Sequence, residues 1–340
     1  MSIVILQLPR VKRKRESRPK NCKYCQGEIL QRWGSVKKRV KDTKIRQVRI
    51  YRYYCNDCQR SFRHYPEGIQ RASQSERLKK LAVVSWSLGL SHRGVEAVFA
   101  AFGVSLSRMS SWRDTQEQAE EINQSNQWKG TRVAGIDGAW VNGTGIMVAV
   151  DLGDGKLLSV AQVDEKDLPG VMRWLRALKQ RHGIGAIVTD DLGMYRGITE
   201  QLELGHQVCQ FHVRRWVGRA IRELESKLSE EWLWMIDKIK SIMEELPPDG
   251  GKQLLEMYKQ LPGKRGRERT AVDQLRHVLI RLSESWERYT AFFHDPGIPW
   301  TNNRAEQAIG RMKMRAKTTR GYKTRSGRLN GLLVSSTSLS

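Results

Sequence analysis

The chain has 340 residues, room for roughly two to three domains and a sizeable core, and its 39% apolar content with eleven Trp excludes global disorder. Sixty Lys and Arg against thirty-six Asp and Glu leave a formal charge of +24, a self-repelling excess whose natural counterpart is a polyanion. Nucleic acid fits that charge. An anionic membrane surface is the rival, but no run approaches the roughly eighteen to twenty apolar residues of a spanning helix.

The opening "MSIVILQLPRVKRKRES" places its apolar run before its basic cluster, the reverse of a secretory signal. This predicts an intracellular protein. Residues 1–20, with Lys12, Arg13, Lys14, Arg15, Arg18 and Lys20, predict a basic flexible arm, either a solvated tail or a phosphate-contacting one. In residues 21–70, "CKYC" and "CNDC" flank a strand-like "VRIYRYY". Cys22, Cys25, Cys55 and Cys58 thus supply four thiolates, the closed set of a structural Zn²⁺ ribbon. Two redox pairs are the alternative, disfavoured because neither opens a helix in a thioredoxin-like unit.

Residues 71–125 shift to helical spacing. "GLSHRGVEAVFAAFGVSLSRMSSWRD" reads as helix, glycine turn and helix, with Ser91 and Ser105 as caps and Gly103 as the turn. An ordinary helical hairpin shares that phrasing. A DNA-binding helix-turn-helix would offer Arg108, Ser110, Ser111 and Arg113 to a groove. From Arg132 come three strands in succession, then helix, strand, helix and strand through "HQVCQ". The order βββαβαβ is that of an RNase-H-like core. After Phe211 a helical stripe with Leu224, Leu228, Met235, Ile239, Ile242 and Leu246 runs to "PPDGG". A further helix carries Leu275, Val278, Leu279, Leu282 and Trp286, after the basic loop "PGKRGRER". Trp216 and Trp286 read as core residues or as DNA-stacking ones.

Asp137 closes "VAGID" and Asp190 closes "AIVTD". Singly, each is also a plausible turn aspartate. In an RNase-H-like sheet the first and fourth strands are adjacent, so the pair would share an edge and, repelling, favour a hard cation such as Mg²⁺ or Mn²⁺. Asp191 follows Asp190 directly and would point elsewhere, while Asp151 reads as a turn with Asp154; Asp190 is preferred as the second acid.

In order, "GIDGAWV", "IVTDDLGMYRGI", "HQVCQFHVRRWV" and "TNNRAEQAIGRMKMRAKTTRGY" resemble the DDE transposases of bacterial insertion sequences, in the Mutator-related branch, over about 130–325. The resemblance implies Asp137, Asp190 and Glu306 as catalytic acids holding two Mg²⁺ or Mn²⁺ ions. It aligns Cys209 and His212 with a C-x-x-H signature of structural or substrate-positioning role; a metal reading would add His206. The long gap from Asp190 to Glu306 is similar to the family's helical insertion.

The implied protein is multidomain α/β. It has a ribbon (21–70), a helix-turn-helix domain (71–125), a core (130–218) interrupted by an all-helical insertion (219–297), a final core helix with a basic DNA-binding segment (298–330) and a tail (331–340). Arg311, Lys313, Lys317 and Arg320 would grip phosphates. The partners implied are double-stranded DNA, both element terminal repeats and target, and further copies of the chain in a homodimer or larger assembly, acting in the prokaryotic cytoplasm at the nucleoid and on no membrane. The rival readings are a regulator derived from an inactive transposase and a structure-selective RNase-H-like nuclease.

Overall fold

The computed structural model describes residues 6–15, 17–125, 130, 132–263, 270–319, 322 and 324–337. The chain divides into two compact units, one of Met1–Ser125 with Arg311–Ser340 and one of Asn126–Gly310. Among the described residues no helix is long and apolar enough to cross a membrane.

The first unit opens with an antiparallel sheet of β1 (Leu30–Arg39), β2 (Gln47–Cys55) and β3 (Ser61–His64) in that order. Leu30, Tyr53 and Phe62 pack around the cysteines at one end, and Val40, Ile45, Val48, Ile50 and Ile69 form a second small core. The described part of the amino-terminal arm differs from the expected flexible segment. Val11 packs on the second core, the Lys12 amide donates to the Glu67 carbonyl (3.0 Å), and the Arg13 carbonyl accepts from Arg49 (2.8 Å). Backbone bonding and one apolar side chain tie it to the small sheet and its loops despite its charge.

Three helices follow: α1 (Glu76–Ser87), α2 (His92–Ala101) and α3 (Arg108–Ser125). Ser91 caps α2 by accepting from the Gly94 amide (3.0 Å), and Gly103 turns the chain at φ +69°. The cap of α3 is Ser107, which accepts from the Ser110 amide (3.2 Å), instead of the expected Ser105; Ser105 lies between buried Val104 and Leu106, before the helix begins. The helix also continues well beyond Trp112. Ser111 is buried against His92 Nδ1 (3.0 Å), so it is removed from the groove-facing set.

The second unit is built on β4 (Val133–Val141), β5 (Thr144–Asp151), β6 (Leu157–Ala161), α4 (Leu168–His182), β7 (Ala186–Thr189), α5 (Met194–Gln201) and β8 (Gly205–Val208). Sheet order is β6-β5-β4-β7-β8, antiparallel from β6 to β4 and parallel from β4 to β8. The first and fourth strands are therefore neighbours, as an RNase-H-like core requires. Ile136, Met147 and Ile187 face α4 and α5, whereas Val133, Val188, Cys209 and Ile298 form a core on the other side.

Helices α6 (Gln210–Glu225), α7 (Glu230–Glu245), α8 (Gly250–Gln260), α9 (Ala271–Tyr289) and the short α10 (Ala291–His294) follow. The single long stripe read from sequence is broken at residues 226–229, and α8 is an additional helix. Trp286 is a core residue, buried with Nε1 donating to the Pro247 carbonyl (3.1 Å), and Trp216 packs on the same cluster beneath the Arg281 guanidinium (4.2 Å). Residues 264–269 of the basic loop lie outside the described residues. Helix α11 (Asn303–Thr318) groups with this unit up to Gly310 and with the first unit from Arg311, which divides the segment expected as one final piece of the core. Helix α12 (Arg325–Ser336) buries Leu332, Leu333 and Val334 and packs on α3, so residues 331–336 are helix where a tail was expected.

Candidate active site

Strands β4 and β7 pair in parallel as Val133–Ala186, Ala134–Ile187 and Gly135–Val188. Two residues beyond the last pair stand Asp137 and, just past the end of β7, Asp190. One register therefore brings both carboxylates to the same level, on the face that carries Val133, Gly135 and Val188.

The third acid reaches that face through a small set of polar contacts. Asn302 begins α11: its carbonyl accepts from the Ala305 and Glu306 amides (3.0 and 3.2 Å), while its side-chain Nδ2 donates to the Ile136 carbonyl (2.7 Å), one residue before Asp137. A Cβ on Gly135 would lie 2.2 Å from Asn302 Oδ1, so only glycine lets the helix start approach β4 this closely. Cys209 is the other joint. Its amide donates to the Thr189 carbonyl (2.8 Å) at the end of β7, and its buried sulfur accepts from the Asn302 amide (3.4 Å). One turn along α6, His212 Nε2 meets Glu306 Oε1 at 2.9 Å.

Burial pushes Asp137 up to about 6, with the Glu165 and Glu306 charges adding to it and the Gly138 amide and His212 opposing. Asp190 is pushed up to about 7 by burial and then by Glu165, Asp137 and Asp191. Among the described residues its Oδ1 is buried without a hydrogen-bond partner. Asp191 is engaged elsewhere, accepting from Arg281 (2.6 Å) and the Tyr289 hydroxyl (3.0 Å), whereas Asp190 lies on the face that carries Asp137.

Among the described residues, two groups of metal-capable side chains have all ligand atoms within 4.8 Å of one another. One is Cys209, His212 and Glu306; Asp137 and Asp190 stand outside it, and His206 is turned away, with Nε2 on Thr189 Oγ1 (2.9 Å). The other is Cys22, Cys25, Cys55 and Cys58. Its Cys22–Cys58 and Cys25–Cys55 sulfurs are 3.7 and 3.6 Å apart, far beyond a disulfide and close to the roughly 3.8 Å edge of a tetrahedron with Zn–S bonds of about 2.3 Å.

Sequence reasoning missed Glu165, in the loop before α4. The Tyr195 hydroxyl donates to its Oε1 (2.8 Å), and its charge bears on both aspartates. Of the predicted DNA contacts, Arg108, Arg113, Lys313 and Lys317 are exposed, while Arg320 lies outside the described residues. Arg311 instead closes α12, donating from Nε and Nη2 to the Ser336 carbonyl (3.0 and 2.6 Å). Arg315, four residues on, is only 2% exposed, lies over Trp86 (4.2 Å) and donates to the Gly89 and Leu90 carbonyls.

Residues 173–329 match the family model described as Transposase IS66 family. The match includes Asp190, Cys209, His212 and Glu306, and Asp137 precedes it. An archaeal relative from Methanobrevibacter smithii, described as "Insertion element ISM1 uncharacterized 48.3 kDa protein", is 21% identical over 330 residues, covering 92% of this chain and 80% of its own. Among solved structures, the catalytic core domain of BIV integrase is similar at 18% identity over 42% of this chain and 91% of its own, with a TM-score of 0.22.

Proposed function

We propose that the chain is a DNA transposase of an insertion element, cutting DNA at the element's ends and joining the freed 3′-hydroxyls to target DNA. The observation that carries this reading is the parallel register that sets Asp137 beside Asp190, with the start of α11 fastened one residue before Asp137. The match of residues 173–329 to IS66 transposases supports it. That match favours the IS66 family over the Mutator-related branch, with which the chain shares the Cys209–His212 spacing.

Asp137, Asp190 and Glu306 would hold Mg²⁺ or Mn²⁺. Hard carboxylate oxygens, one of them buried and unpartnered on Asp190, fit such ions. Two such ions, when bound, supply Lewis-acid charge for attack on a phosphodiester by water or by a 3′-hydroxyl. His212 orients Glu306, Cys209 and Asn302 hold the helix start against the strand ends, and the four amino-terminal cysteines would hold structural Zn²⁺. Helices α2 and α3 with Arg108 and Arg113, and Lys313 and Lys317, would bind DNA, the lysines through backbone phosphates. Two element ends require a homodimer or larger assembly, working at the prokaryotic nucleoid.

The test is cleavage and strand transfer by the purified full chain on duplexes carrying the element's ends, in Mg²⁺ or Mn²⁺. Wild type should cut and join, and Asp137→Asn, Asp190→Asn and Glu306→Gln should each lose on the order of 10³-fold in both steps with DNA affinity retained. Full activity in Asp190→Asn overturns the assignment. Cutting without joining makes the protein a nuclease, and binding without cutting makes it a regulator.

A further inference from the structure

We infer that Glu165 is a fourth carboxylate of the cation site and that Tyr195 positions it. The inference rests on the reading of Asp137 and Asp190 as cation ligands and extends the set by a residue that neither motif order nor spacing singles out.

Along β4 successive side chains alternate, so Asp137 looks toward the start of α11 and position 138 looks toward α4 and α5. Residue 138 is glycine, and a Cβ there would lie 2.7 Å from Glu165 Oε2. The Glu165 carboxylate therefore rests against the strand backbone immediately after Asp137. Strand β7 ends at Thr189, so no β7 residue is paired at this level to part the two faces. Glu306 arrives from one side and Glu165 from the other.

Glu165 is also held. Tyr195 is fully buried in the core beneath α4 and α5, and its hydroxyl fixes Oε1 at 2.8 Å while no hydrogen bond to Oε2 is found among the described residues. Among the described residues no Lys or Arg forms an ion pair with Asp137, Glu165, Asp190 or Glu306; His212 on Glu306 is the one basic partner. In a chain with sixty Lys and Arg, these four carboxylates stand around the ends of β4 and β7 with none of those cations on them among the described residues. Like-charged oxygens placed this close are held together best by a cation between them. The geometry suits a divalent ion entering from solvent, with Oε2 as donor and Oε1 locked by Tyr195.

A purely structural Glu165 would only accept from Tyr195. Glu165→Gln separates the two roles, because the amide oxygen still accepts that hydrogen bond while the charge is lost. The experiment is a Mn²⁺ titration of the full, zinc-loaded chain, with free Mn²⁺ read from its electron paramagnetic resonance signal. Glu165→Gln should weaken Mn²⁺ binding at least about tenfold and Tyr195→Phe by less. The metal-free Glu165→Gln chain should melt no lower than wild type, since only an unpaired charge is removed.

Wild-type Mn²⁺ affinity in Glu165→Gln, with binding lost in Asp190→Asn, overturns the role of Glu165 and leaves the aspartate site standing. A Glu165→Gln chain that melts lower or fails to fold also overturns it. Wild-type affinity in Asp190→Asn overturns the cation site itself, and the proposed function with it.

Discussion

The two metal-capable regions of this chain are built in opposite ways. The four cysteines come from two short turns brought together by one small sheet, and their sulfurs already sit at the spacing of a closed tetrahedron. The carboxylates come from β4, from the end of β7 and from α11, with six described helices between the last two. Asp137 and Asp190 are raised by burial, none of the three is paired by Lys or Arg among the described residues, and they are not drawn to one point. A closed set of soft donors does structural work, whereas open, repelling hard donors keep room for a cation and a substrate.

The largest effect expected from this contrast is on removal of zinc. Metal binding in such a ribbon is folding free energy, on the order of 10 kcal/mol. A zinc-selective chelator, or Cys55→Ser, should let the amides of β1, β2 and β3 exchange rapidly in a hydrogen-exchange experiment while β4, β7 and β8 stay protected. Continued protection of β2 would break the comparison at its first term.

The carboxylate region should respond in the opposite direction. Asp190 at about 7 and Asp137 at about 6 stand above the ordinary carboxylate value of 3.8. Between about pH 4 and pH 7 the folded chain keeps protons that the unfolded chain has released. Stability therefore falls as pH rises through that window, and the loss is complete above about 7. In the absence of divalent cations Asp190→Asn should melt higher than wild type at pH 8, by a stability difference on the order of 2–4 kcal/mol, and at the wild-type temperature at pH 4. Added Mn²⁺ should narrow the gap at pH 8 by stabilising only the wild type. An equal difference at both pH values would show that the carboxylate is not held away from its ordinary value.

The same contrast explains what could be read from the sequence. A C-x-x-C spacing is local, so the four-cysteine cluster is visible before any fold is known. The order of β4 to β8 follows from alternation and turn residues, and it alone sets Asp137 beside Asp190. Glu165 sits in "DEKD", where nothing local separates it from Asp164 or Asp167; its partner Tyr195 is thirty residues away in sequence and meets it only after α4 has packed. Asn302 looks like a cap, and its second bond, to β4, spans 166 residues. Arg315 was more accessible to reasoning than it looked: Ala305, Ala308, Met312, Arg315 and Ala316 fall on one helical stripe, and that stripe is buried.

Asn302 offers a sharper test of how long-range assembly sets the acid site. Asn302→Ala removes the bond to the Ile136 carbonyl, and Gly135→Ala drives a methyl group into Asn302 from the other side. Each should cost roughly 1–3 kcal/mol of stability. Strand cleavage should fall further than DNA affinity, because Glu306 follows the start of α11. If cleavage is unchanged at a temperature where both variants are folded, the start of α11 does not position the third acid.

The smallest expected effects separate two basic residues that look alike in the sequence. Lys313 is exposed and free to meet a phosphate, whereas Arg311 donates twice to the carbonyl that ends α12. Lys313→Ala should reduce the slope of log affinity against log salt by about one and change stability by no more than about 0.5 kcal/mol. Arg311→Ala should leave that slope in place and lower stability by about 1–2 kcal/mol, because the last carbonyl of α12 loses its donors. A salt slope reduced equally by both variants would return Arg311 to the DNA-contacting set and leave the end of α12 to be closed by solvent.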